Sequence, residues 1–320
     1  MANSATKASA VHNGFLNFNK PVGITSMDAL RRIKAIAGQK QKVGHAGTMD
    51  PLARGVLPIC FGQATRLMEY VVGRTKRYTV EIKLGETTKT FDAEGEVTKS
   101  GDPSGITTET IQAVLPTFTG AVMQTPPMYS AIKINGQRLY KLARAGIEVK
   151  REARPVEIYD IQIVQFSLPT VVINVECGRG VYMRSLAHDL GSALGCGGYV
   201  TDLVRTYSGG FNLEDSVTLE ELEQANTCDS TGWLRHMFPV DAVLTELRAV
   251  KVSAQAQQYL SNGQSVGIGR AGMDAGYLEQ FRLYSEEGHF LALARCDLST
   301  NSWKPVKVFQ TAGPSPYSPA

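Results

Sequence analysis

A chain of 320 residues is long enough for two domains, and its composition, 43% hydrophobic and 20% charged, is that of an ordinary globular protein. A formal net charge of +3 says little about partners, because a small excess can be spread thinly or concentrated on one face. Five cysteines without a Cys-x-x-Cys pair predict neither a disulfide framework nor a zinc site, and they indicate a reducing, cytoplasmic compartment. No apolar run is long enough to span a membrane, and residues 1–13 are predicted to be a flexible tail.

The N-terminal part predicts a strand followed by a helix. Residues Phe15 to Asn19 alternate weakly in polarity, and the turn that follows through Lys20 ends in Ser26, which is predicted to cap the helix. Apolar residues then recur at helical spacing until Gly38, at positions Ala29, Leu30, Ile33, Ile36 and Ala37.

The stretch from Gly44 to Gly62 combines a single carboxylate with unusual backbone freedom. It contains His45, Asp50 and four glycines, and Pro51 restricts the backbone of Asp50 and so fixes the direction of its side chain. An isolated Asp-Pro step most often only turns the chain or caps a helix. In combination with the surrounding glycines and histidine, the Asp-Pro step predicts a turn that holds one acidic side chain in a fixed direction.

Two alternating strands lead to further candidate residues. One begins at Tyr78, which shares a face with the apolar side chains that follow it; another, Val171–Cys177, ends in a glycine turn. Arg184 then lies at the start of a predicted helix. Two interpretations stay open for it: an arginine that faces an anion, or a surface ion pair with Asp189.

The segment from Gln124 to about Arg154 predicts a loop with a strong positive charge. Its second part carries two acidic residues and seven cations, Lys133, Arg138, Lys141, Arg144, Lys150, Arg151 and Arg154. Tyr129 and Tyr140 lie among them, so that phosphate neutralisation and base stacking are both available. The pattern is typical of a nucleic-acid-binding loop, and an exposed charged hairpin without a binding role is the alternative.

The remaining sequence predicts smaller elements and a separate C-terminal module. Residues 85–95 predict an extended loop, 111–118 a short helix, 199–205 a strand, and 226–236 a loop. After Leu247 the sequence predicts a short helix at 253–260 and then three short strands. This pattern predicts a small β-barrel or sandwich. Residues 311–320, with three prolines, are predicted to be a flexible tail.

Several motifs of this chain occur in the order found in one known family. They are Lys20-Pro21, Gly44-His45-x-Gly47-Thr48-x-Asp50-Pro51-x-Ala53-x-Gly55-x-Leu57, Lys76-Arg77-Tyr78, Gln124-x-Pro126-Pro127-x-Tyr129-Ser130-Ala131-x-Lys133 and Gly180-x-Tyr182-x-Arg184. The chain thereby resembles the TruB family of tRNA pseudouridine-55 synthases. The resemblance covers roughly residues 14–211, and several motifs in one order are far more specific than any one of them.

The resemblance implies a fold and domain boundaries. The fold class would be α/β, more narrowly α+β, with a pseudouridine synthase catalytic domain at residues 14–246. Its central sheet would be mixed, largely antiparallel and flanked by helices. A small β-rich, PUA-like domain would follow at residues 247–310.

The resemblance also implies a reaction. A uridine in the tRNA T loop, at position 55, would have its glycosidic bond broken, its base rotated and its C5 joined to the ribose, without a metal or other cofactor. Asp50 would be the essential carboxylate, acting as nucleophile or as base, and Arg184 would pair with it. Tyr78 would stack on the uracil and help to remove the C5 proton.

Substrate-binding residues follow from the same resemblance. His45 would fill the space left by the flipped base, Tyr182 and Leu203 would line the pocket, and Lys20 would support it. The loop at 124–154 would clasp RNA through Lys133, Arg138, Lys141 and Arg144. The enzyme would act as a monomer on the T arm of tRNA.

Three other functions remain open from the sequence. A non-catalytic RNA-binding or tRNA-folding protein would keep the fold and the loop, and its function would not depend on Asp50. A guide-RNA-dependent synthase of the dyskerin type shares the Asp motif, but this chain has no long basic tail. A glycoside hydrolase with Asp50 and Asp92 as paired carboxylates would leave the basic loop unexplained.

Overall fold

Two large β-sheets organise the computed structural model, which describes residues 12–38, 42–134, 136–269 and 274–319. Up to residue 246 the strands are Gly14–Lys20 (β1), Val43–His45 (β2), Ala53–Phe61 (β3), Lys76–Leu84 (β4), Glu86–Thr88 (β5), Val97–Ser100 (β6), Gly120–Gln124 (β7), Lys133–Ile134 (β8), Gln137–Arg138 (β9), Arg154–Ser167 (β10), Thr170–Cys177 (β11), Gly198–Ser208 (β12), Phe211–Asn212 (β13) and Met237–Phe238 (β14). The later strands are Arg248–Lys251 (β15), Val266–Gly267 (β16), Gln280–Tyr284 (β17), Phe290–Asp297 (β18) and Ser302–Val308 (β19).

The α-helices are Ser26–Ile36 (α1), Met68–Val72 (α2), Thr108–Val114 (α3), Leu139–Arg144 (α4), Met183–Ala193 (α5), Leu219–Cys228 (α6) and Ala254–Ser261 (α7). Short 3₁₀ helices occur at Gly62–Leu67, Leu115–Phe118, Gly232–His236 and Val240–Leu244. None of the helices in the described ranges is both long and apolar enough to cross a membrane.

The larger sheet has ten strands and is mixed but largely antiparallel, which confirms the predicted fold class. Eight strands lie in the order β14-β1-β3-β12-β4-β11-β10-β7, while β2 pairs with β3 and β13 with β12. Among the described strands of this sheet, only β12 and β3 pair in parallel, in a register that places Leu203 opposite Ala53. This pairing brings the middle of the sheet next to the chain that follows Asp50.

Apolar side chains from the predicted alternating strands fill the core of this sheet. Those that are buried on β4 and β11 are Val80, Ile82, Leu84, Val171, Ile173 and Val175. Leu186 and Leu190 of α5 belong to the same apolar cluster. Each fully buried Val, Leu or Ile side chain adds about 1.5–3 kcal/mol to the driving force for folding. The helix that carries Arg184 is therefore held firmly against the sheet.

Three local predictions are wrong in detail. Helix α1 is capped by Thr25 instead of Ser26, because the Thr25 side chain accepts from the Asp28 N–H and the Asp28 carboxylate binds back in a capping box. Strand β5, predicted to be loop, pairs with β6. The predicted loop at 226–236 contains the end of α6 and a 3₁₀ helix. Elements this short carry too little periodicity to be recognised in a sequence.

The C-terminal region forms the predicted β-rich domain. Its five strands lie in the order β15-β17-β18-β19-β16, and α7 begins after Ser253, whose side chain accepts from the Ala256 N–H. Tyr284 and Phe290 of this domain share one apolar cluster with Phe15 of β1. The two domains therefore pack through a common core.

Specific contacts hold the C-terminal end of the described chain. The Ser315 hydroxyl donates a 2.6 Å hydrogen bond to Asp241, and the Tyr317 carbonyl accepts one of 3.1 Å from Arg282. The prediction of a flexible tail at 311–320 did not include these contacts. Of the predicted N-terminal tail, residues 1–11 lie outside the described residues.

Candidate active site

Asp50 lies on a turn between β2 and β3 whose backbone is anchored on both sides. The Ser26 hydroxyl accepts a 2.8 Å hydrogen bond from the Met49 N–H and donates one of 3.1 Å to the Met49 carbonyl. Beyond Asp50, the Pro51 carbonyl accepts a 2.8 Å hydrogen bond from the Gly23 N–H. The residues before and after the carboxylate are thus both tied to the segment that leads into α1.

Gly47 shows why this turn needs glycine. Its φ is +114°, a backbone conformation that residues with a side chain rarely adopt. The Gly47 carbonyl accepts a 3.1 Å hydrogen bond from Arg205 Nη2, while Nε donates one of 2.7 Å to the Val56 carbonyl. Arg205 is 1% exposed and therefore supports the turn from inside the protein. Arg205 was not predicted as a site residue, because nothing in the strand around it distinguishes it from an ordinary surface arginine.

Arg184 forms a bidentate ion pair with Asp50. It lies in the first turn of α5, and its Nε donates a 2.9 Å hydrogen bond to Asp50 Oδ2 while Nη2 donates one of 2.8 Å to Oδ1. Two parallel hydrogen bonds restrict the rotamers of both side chains. The alternative of a surface ion pair with Asp189 is wrong, because Arg184 is 3% exposed and turns inward from the helix.

The same guanidinium reaches three further acceptors. Its Nη1 lies 3.2 Å from Asp92 Oδ2 and donates a 3.2 Å hydrogen bond to the Thr90 carbonyl, and Nη2 donates one of 2.7 Å to the Tyr129 carbonyl. Asp92 is 2% exposed and also accepts from the Thr90 hydroxyl and from the Glu94 N–H. Arg184 therefore links two carboxylates. This role of Asp92 was not predicted, because it is one of several acids in a Thr-rich segment and no spacing distinguishes it from the others.

The Asp50 carboxylate is held on one side and open on the other. Burial raises its pKa above the ordinary value for Asp, and the Arg184 guanidinium opposes that rise. The Asp50 side chain nevertheless keeps 32% of its surface exposed, against 4% for Arg184. One face of the carboxylate can thus meet a reacting group while the arginine holds the other.

Tyr78 lies beside this carboxylate on β4, opposite Val175 of β11 and Arg205 of β12. Burial raises the pKa of its hydroxyl, and Arg205 opposes the rise through its charge and a hydrogen bond. The charge of Asp50 also reaches the hydroxyl and raises its pKa further. Tyr78 is therefore a neutral phenol at neutral pH.

Lys20 is completely buried at the end of β1. Its Nζ donates hydrogen bonds of 2.9 Å to the Pro21 carbonyl, 2.8 Å to the Ile24 carbonyl and 3.4 Å to the Pro51 carbonyl. Burial lowers its pKa to about 8, and the charge of Asp50 partly offsets this effect. The predicted supporting role of Lys20 would act through the contact with Pro51.

The three predicted pocket residues lie on separate elements. His45 is on β2, and its imidazole is neutral at neutral pH because burial and the charge of Arg205 lower its pKa. Tyr182 precedes α5, where its N–H donates a 2.8 Å hydrogen bond to Gln124 Oε1 and its carbonyl accepts one of 3.0 Å from Gln124 Nε2. Leu203 is buried on β12. Their roles in substrate binding stay predictions.

The predicted RNA-binding cations lie on the hairpin of β8 and β9 and on α4. All four are exposed, namely Lys133, Arg138, Lys141 and Arg144. At the base of the loop, the Ser185 hydroxyl donates a 2.7 Å hydrogen bond to the Thr125 carbonyl, and Arg151 Nη1 donates one of 3.1 Å to the Pro126 carbonyl. The loop is therefore fastened to α5 at its base, while the four predicted RNA-binding cations face solvent.

The chemistry that these side chains offer is that of one carboxylate, one neutral phenol and two buried guanidinium groups. Asp50 is placed to attack a carbon or to accept a proton, and Tyr78 offers an aromatic face beside it. A metal centre would need a different grouping of side chains. Within the described ranges, no three or more His, Cys, Asp or Glu side chains are grouped so as to hold a metal ion.

Two models of known families match the chain. The model described as TruB family pseudouridylate synthase (N terminal domain) matches residues 34–183. The model described as tRNA pseudouridylate synthase B C-terminal domain matches residues 184–245. Asp50 and Tyr78 lie in the first match and Arg184 begins the second.

Named relatives match nearly the whole chain. A protein of Clostridium acetobutylicum named tRNA pseudouridine synthase B is 40% identical over 296 residues, which are 92% of this chain and 99% of that protein. A protein of Dehalococcoides mccartyi with the same name is 41% identical over 305 residues, 95% of this chain and 99% of that protein.

A solved structure shares the fold. A chain in the crystal structure of a Cbf5-Nop10-Gar1 complex is similar to this one with a TM-score of 0.69 at 24% identity. The similarity covers 96% of this chain and 87% of that chain. At this identity the similarity shows that the fold is shared and nothing more.

Proposed function

The chain belongs to the TruB family of pseudouridylate synthases, and on this basis we propose that it converts the uridine at position 55, in the T loop of tRNA, to pseudouridine. One observation carries the proposal: Asp50 is held by a bidentate pair with a buried arginine and still keeps 32% of its side chain exposed. The relatives named tRNA pseudouridine synthase B support tRNA as the substrate.

In the proposed reaction the bond between uracil N1 and ribose C1′ breaks, the base rotates, and C5 bonds to C1′. C5 loses a proton and N1 gains one, so the product is an isomer of the substrate. Asp50 attacks C1′ or takes the C2′ proton, and both routes need an ionised carboxylate. Arg184 supports this state, because its guanidinium lowers the pKa of Asp50 against the effect of burial.

Tyr78 is proposed to stack on the uracil while Asp50 acts on the ribose. Because burial raises the pKa of Tyr78, its hydroxyl is protonated at neutral pH and is a weak base. The aromatic face is available whatever the state of the hydroxyl. This favours stacking over removal of the C5 proton as the main contribution of Tyr78.

The target base must leave the folded T loop before it reaches Asp50, which costs a few kcal/mol. A neutral imidazole can stack between bases without bringing a charge, so His45 is proposed to occupy the vacated space. Tyr182 and Leu203 are proposed to contact the flipped nucleotide, and Lys20 to hold the turn beneath it.

The exposed cations of the 124–154 loop are proposed to neutralise tRNA phosphates. If Lys141 and Arg144 each contact one phosphate, replacing either by Ala reduces the slope of log affinity against log salt by about 1. Filter binding over a salt series measures this slope. The exposed Arg31 on α1, which pairs with Asp28, is a matched control, and Arg31→Ala should leave the slope unchanged.

Tritium release tests the proposed function directly. The substrate is an unmodified tRNA transcript with tritium at C5 of uridine, and the enzymes are the wild type and Asp50→Asn. Wild type should release tritium, whereas Asp50→Asn should bind the transcript and release none. A transcript whose T-loop uridine is replaced by cytidine should release none with either enzyme.

Other outcomes of this experiment separate the remaining functions. Tight binding without release by wild type would favour a non-catalytic RNA-binding protein. Release that requires a second, guiding RNA would favour a guide-dependent synthase. The proposal includes a monomeric enzyme in the cytoplasm, and light scattering of the purified protein with and without tRNA tests the monomer.

A further inference from the structure

The turn at residues 90–92 has a backbone conformation that side chains rarely adopt. Phe91 has a φ of +63°, and in the described part of the chain only Leu278 and Asn301 share a positive φ among residues other than glycine. For a bulky residue this conformation is an outlier that persists only when the surrounding structure enforces it. The contacts of Phe91 therefore identify what enforces it.

This turn presents two acceptors to one nitrogen atom. Arg184 Nη1 donates a 3.2 Å hydrogen bond to the Thr90 carbonyl and lies 3.2 Å from Asp92 Oδ2. Phe91 separates these two residues in the chain. If Phe91 took an ordinary φ, the peptide groups on its two sides would rotate relative to each other and the two acceptors would no longer converge on Arg184.

Helix α5 supplies the side chain that holds Phe91. The imidazole of His188 stacks on the Phe91 ring, with the centroids 3.8 Å apart and the planes inclined by 16°. His188 lies four residues after Arg184, so both side chains leave the same face of the helix. The backbone adds two hydrogen bonds, from the Phe91 N–H to the Thr88 carbonyl, 3.2 Å, and from the Val200 N–H to the Phe91 carbonyl, 3.1 Å.

The environment of His188 agrees with a stacking role. Burial lowers the pKa of its imidazole, and the charges of Arg151 and Lys99 lower it further, so the ring is neutral at neutral pH. Its Nδ1 is buried, and among the described residues it has no hydrogen-bond partner. The stack on Phe91 is therefore the interaction that accounts for the position of this ring.

We propose that Phe91 and His188 are positioning residues: their stack keeps the 90–92 turn in its left-handed form, and the turn keeps Arg184 directed at Asp50. The inference rests on the proposed function, in which the Asp50–Arg184 pair is the reactive centre. Loss of the stack should reduce the rate of the chemical step, because small displacements of a reactive group are costly. It should leave tRNA binding intact.

Three substitutions test the proposal. His188→Ala removes the stack, and Phe91→Asn removes the ring while keeping a residue that tolerates positive φ. Each should lower kcat by roughly tenfold to a hundredfold, with KM for tRNA within about twofold of wild type. His188→Phe restores an aromatic ring and should recover kcat to within about threefold of wild type. Leu278→Asn, at the other bulky residue with positive φ, is the control and should change neither parameter.

The proposal would be overturned by wild-type kcat in His188→Ala, or by equal losses in His188→Ala and His188→Phe. A rise in KM at unchanged kcat would also overturn it, because it would assign the pair to RNA binding. A crystal structure of His188→Ala supplies a readout independent of activity, in which Arg184 should lose its contacts with Thr90 and Asp92. An inactive wild type would contradict the proposed function, and the crystal structure would still decide whether the stack positions Arg184.

Discussion

The molecule contains two networks of buried arginine and carboxylate side chains, which differ in how far the carboxylate is exposed to solvent. In the first, Arg184 pairs with Asp50, whose side chain keeps 32% of its surface exposed. In the second, Arg282 donates a 2.9 Å hydrogen bond to the Tyr284 hydroxyl, which donates one of 2.6 Å to Asp241. Asp241 is 1% exposed. The first network leaves one face of its carboxylate open, and the second surrounds its carboxylate.

The groups around each acid explain the difference. Asp241 also accepts a 2.6 Å hydrogen bond from Ser315, so the C-terminal tail closes over it. The Asp50 carboxylate is held by Arg184 on one side and is open on the other. A satisfied buried network rigidifies a fold, whereas a reactive acid must remain accessible. Changes in the first network should therefore alter the reaction rate, and changes in the second should alter stability.

Replacing Arg184 by lysine is expected to have the largest effect. Lysine keeps the charge but lacks the planar fork that reaches Asp50 and the 90–92 turn at the same time. We expect kcat to fall by about a hundredfold or more, measured by single-turnover tritium release, while filter binding shows tRNA affinity within about threefold of wild type. The exposed Arg179 precedes α5 and provides the control, since Arg179→Lys should keep wild-type kcat. Full activity of Arg184→Lys would show that the open network is not the reactive one.

Acid should inactivate the first network before it unfolds the protein. The proposed reaction needs ionised Asp50, and burial raises the pKa of this carboxyl, so we expect activity to be lost as the pH falls through a value above the ordinary Asp pKa. Below that value the single-turnover rate should drop about tenfold per pH unit. In Arg184→Lys the loss should begin at a higher pH, because lysine keeps the charge but loses the two hydrogen bonds through which the arginine also lowers the pKa of Asp50. Circular dichroism at each pH separates this loss from unfolding, and an acid limb at the ordinary Asp value would contradict the effect of burial.

Asp241→Asn replaces the carboxylate of the second network by an amide, as Asp50→Asn does in the first. Asp241 Oδ1 is buried without a partner among the described residues, and an amide there would leave donors unsatisfied. The free energy of unfolding in urea should fall by about 1–3 kcal/mol, while kcat at 25 °C stays at the wild-type level. A loss of kcat without a loss of stability would remove the distinction between the two networks.

The smallest expected effect is that of Ser315→Ala. It removes one hydrogen bond to Asp241 and should lower the free energy of unfolding by about 0.5–1.5 kcal/mol without any change in kcat. Ser318→Ala is a matched control in the same tail, because within the described ranges the Ser318 hydroxyl donates only to the neighbouring Pro319 carbonyl. Equal stability of wild type and Ser315→Ala would mean that the tail does not close the second network.

Much of the fold could be predicted because its main elements carry strong periodicity. The alternation that begins at Tyr78 predicted β4, and the helix predicted to start near Arg184 is α5. The cap of α1 was placed one residue late, because Thr25 and Ser26 are both good caps and only the pairing with Asp28 distinguishes them. Strand β5 escaped prediction because its three residues pair with a partner that no local pattern reveals.

The site was predictable where one short segment carries the signal. Within one turn, the pattern of Gly47, Asp50 and Pro51 predicts a carboxylate with a constrained direction. Arg205 and the contact of Asp92 with Arg184 were not predicted, although Asp92 was considered as a second carboxylate of a glycoside hydrolase. Both residues act through contacts with residues far away in the sequence. Arg205 supports the Gly47 turn across 158 positions. Such residues look like ordinary strand and loop positions until the fold brings their partners together.

The hydrogen bond from Arg184 to the Tyr129 carbonyl makes one guanidinium part of both the reactive centre and the base of the 124–154 loop. A group shared by two sites couples their free energies, and the coupling is reciprocal. If the loop binds RNA as proposed, RNA that orders the loop also favours the orientation of Arg184 that pairs with Asp50, and that orientation strengthens RNA binding by the same factor. This factor is at most about threefold, the limit expected above for the change in tRNA affinity of Arg184→Lys. The affinity for RNA and the population of the paired Arg184 orientation would then be thermodynamically linked.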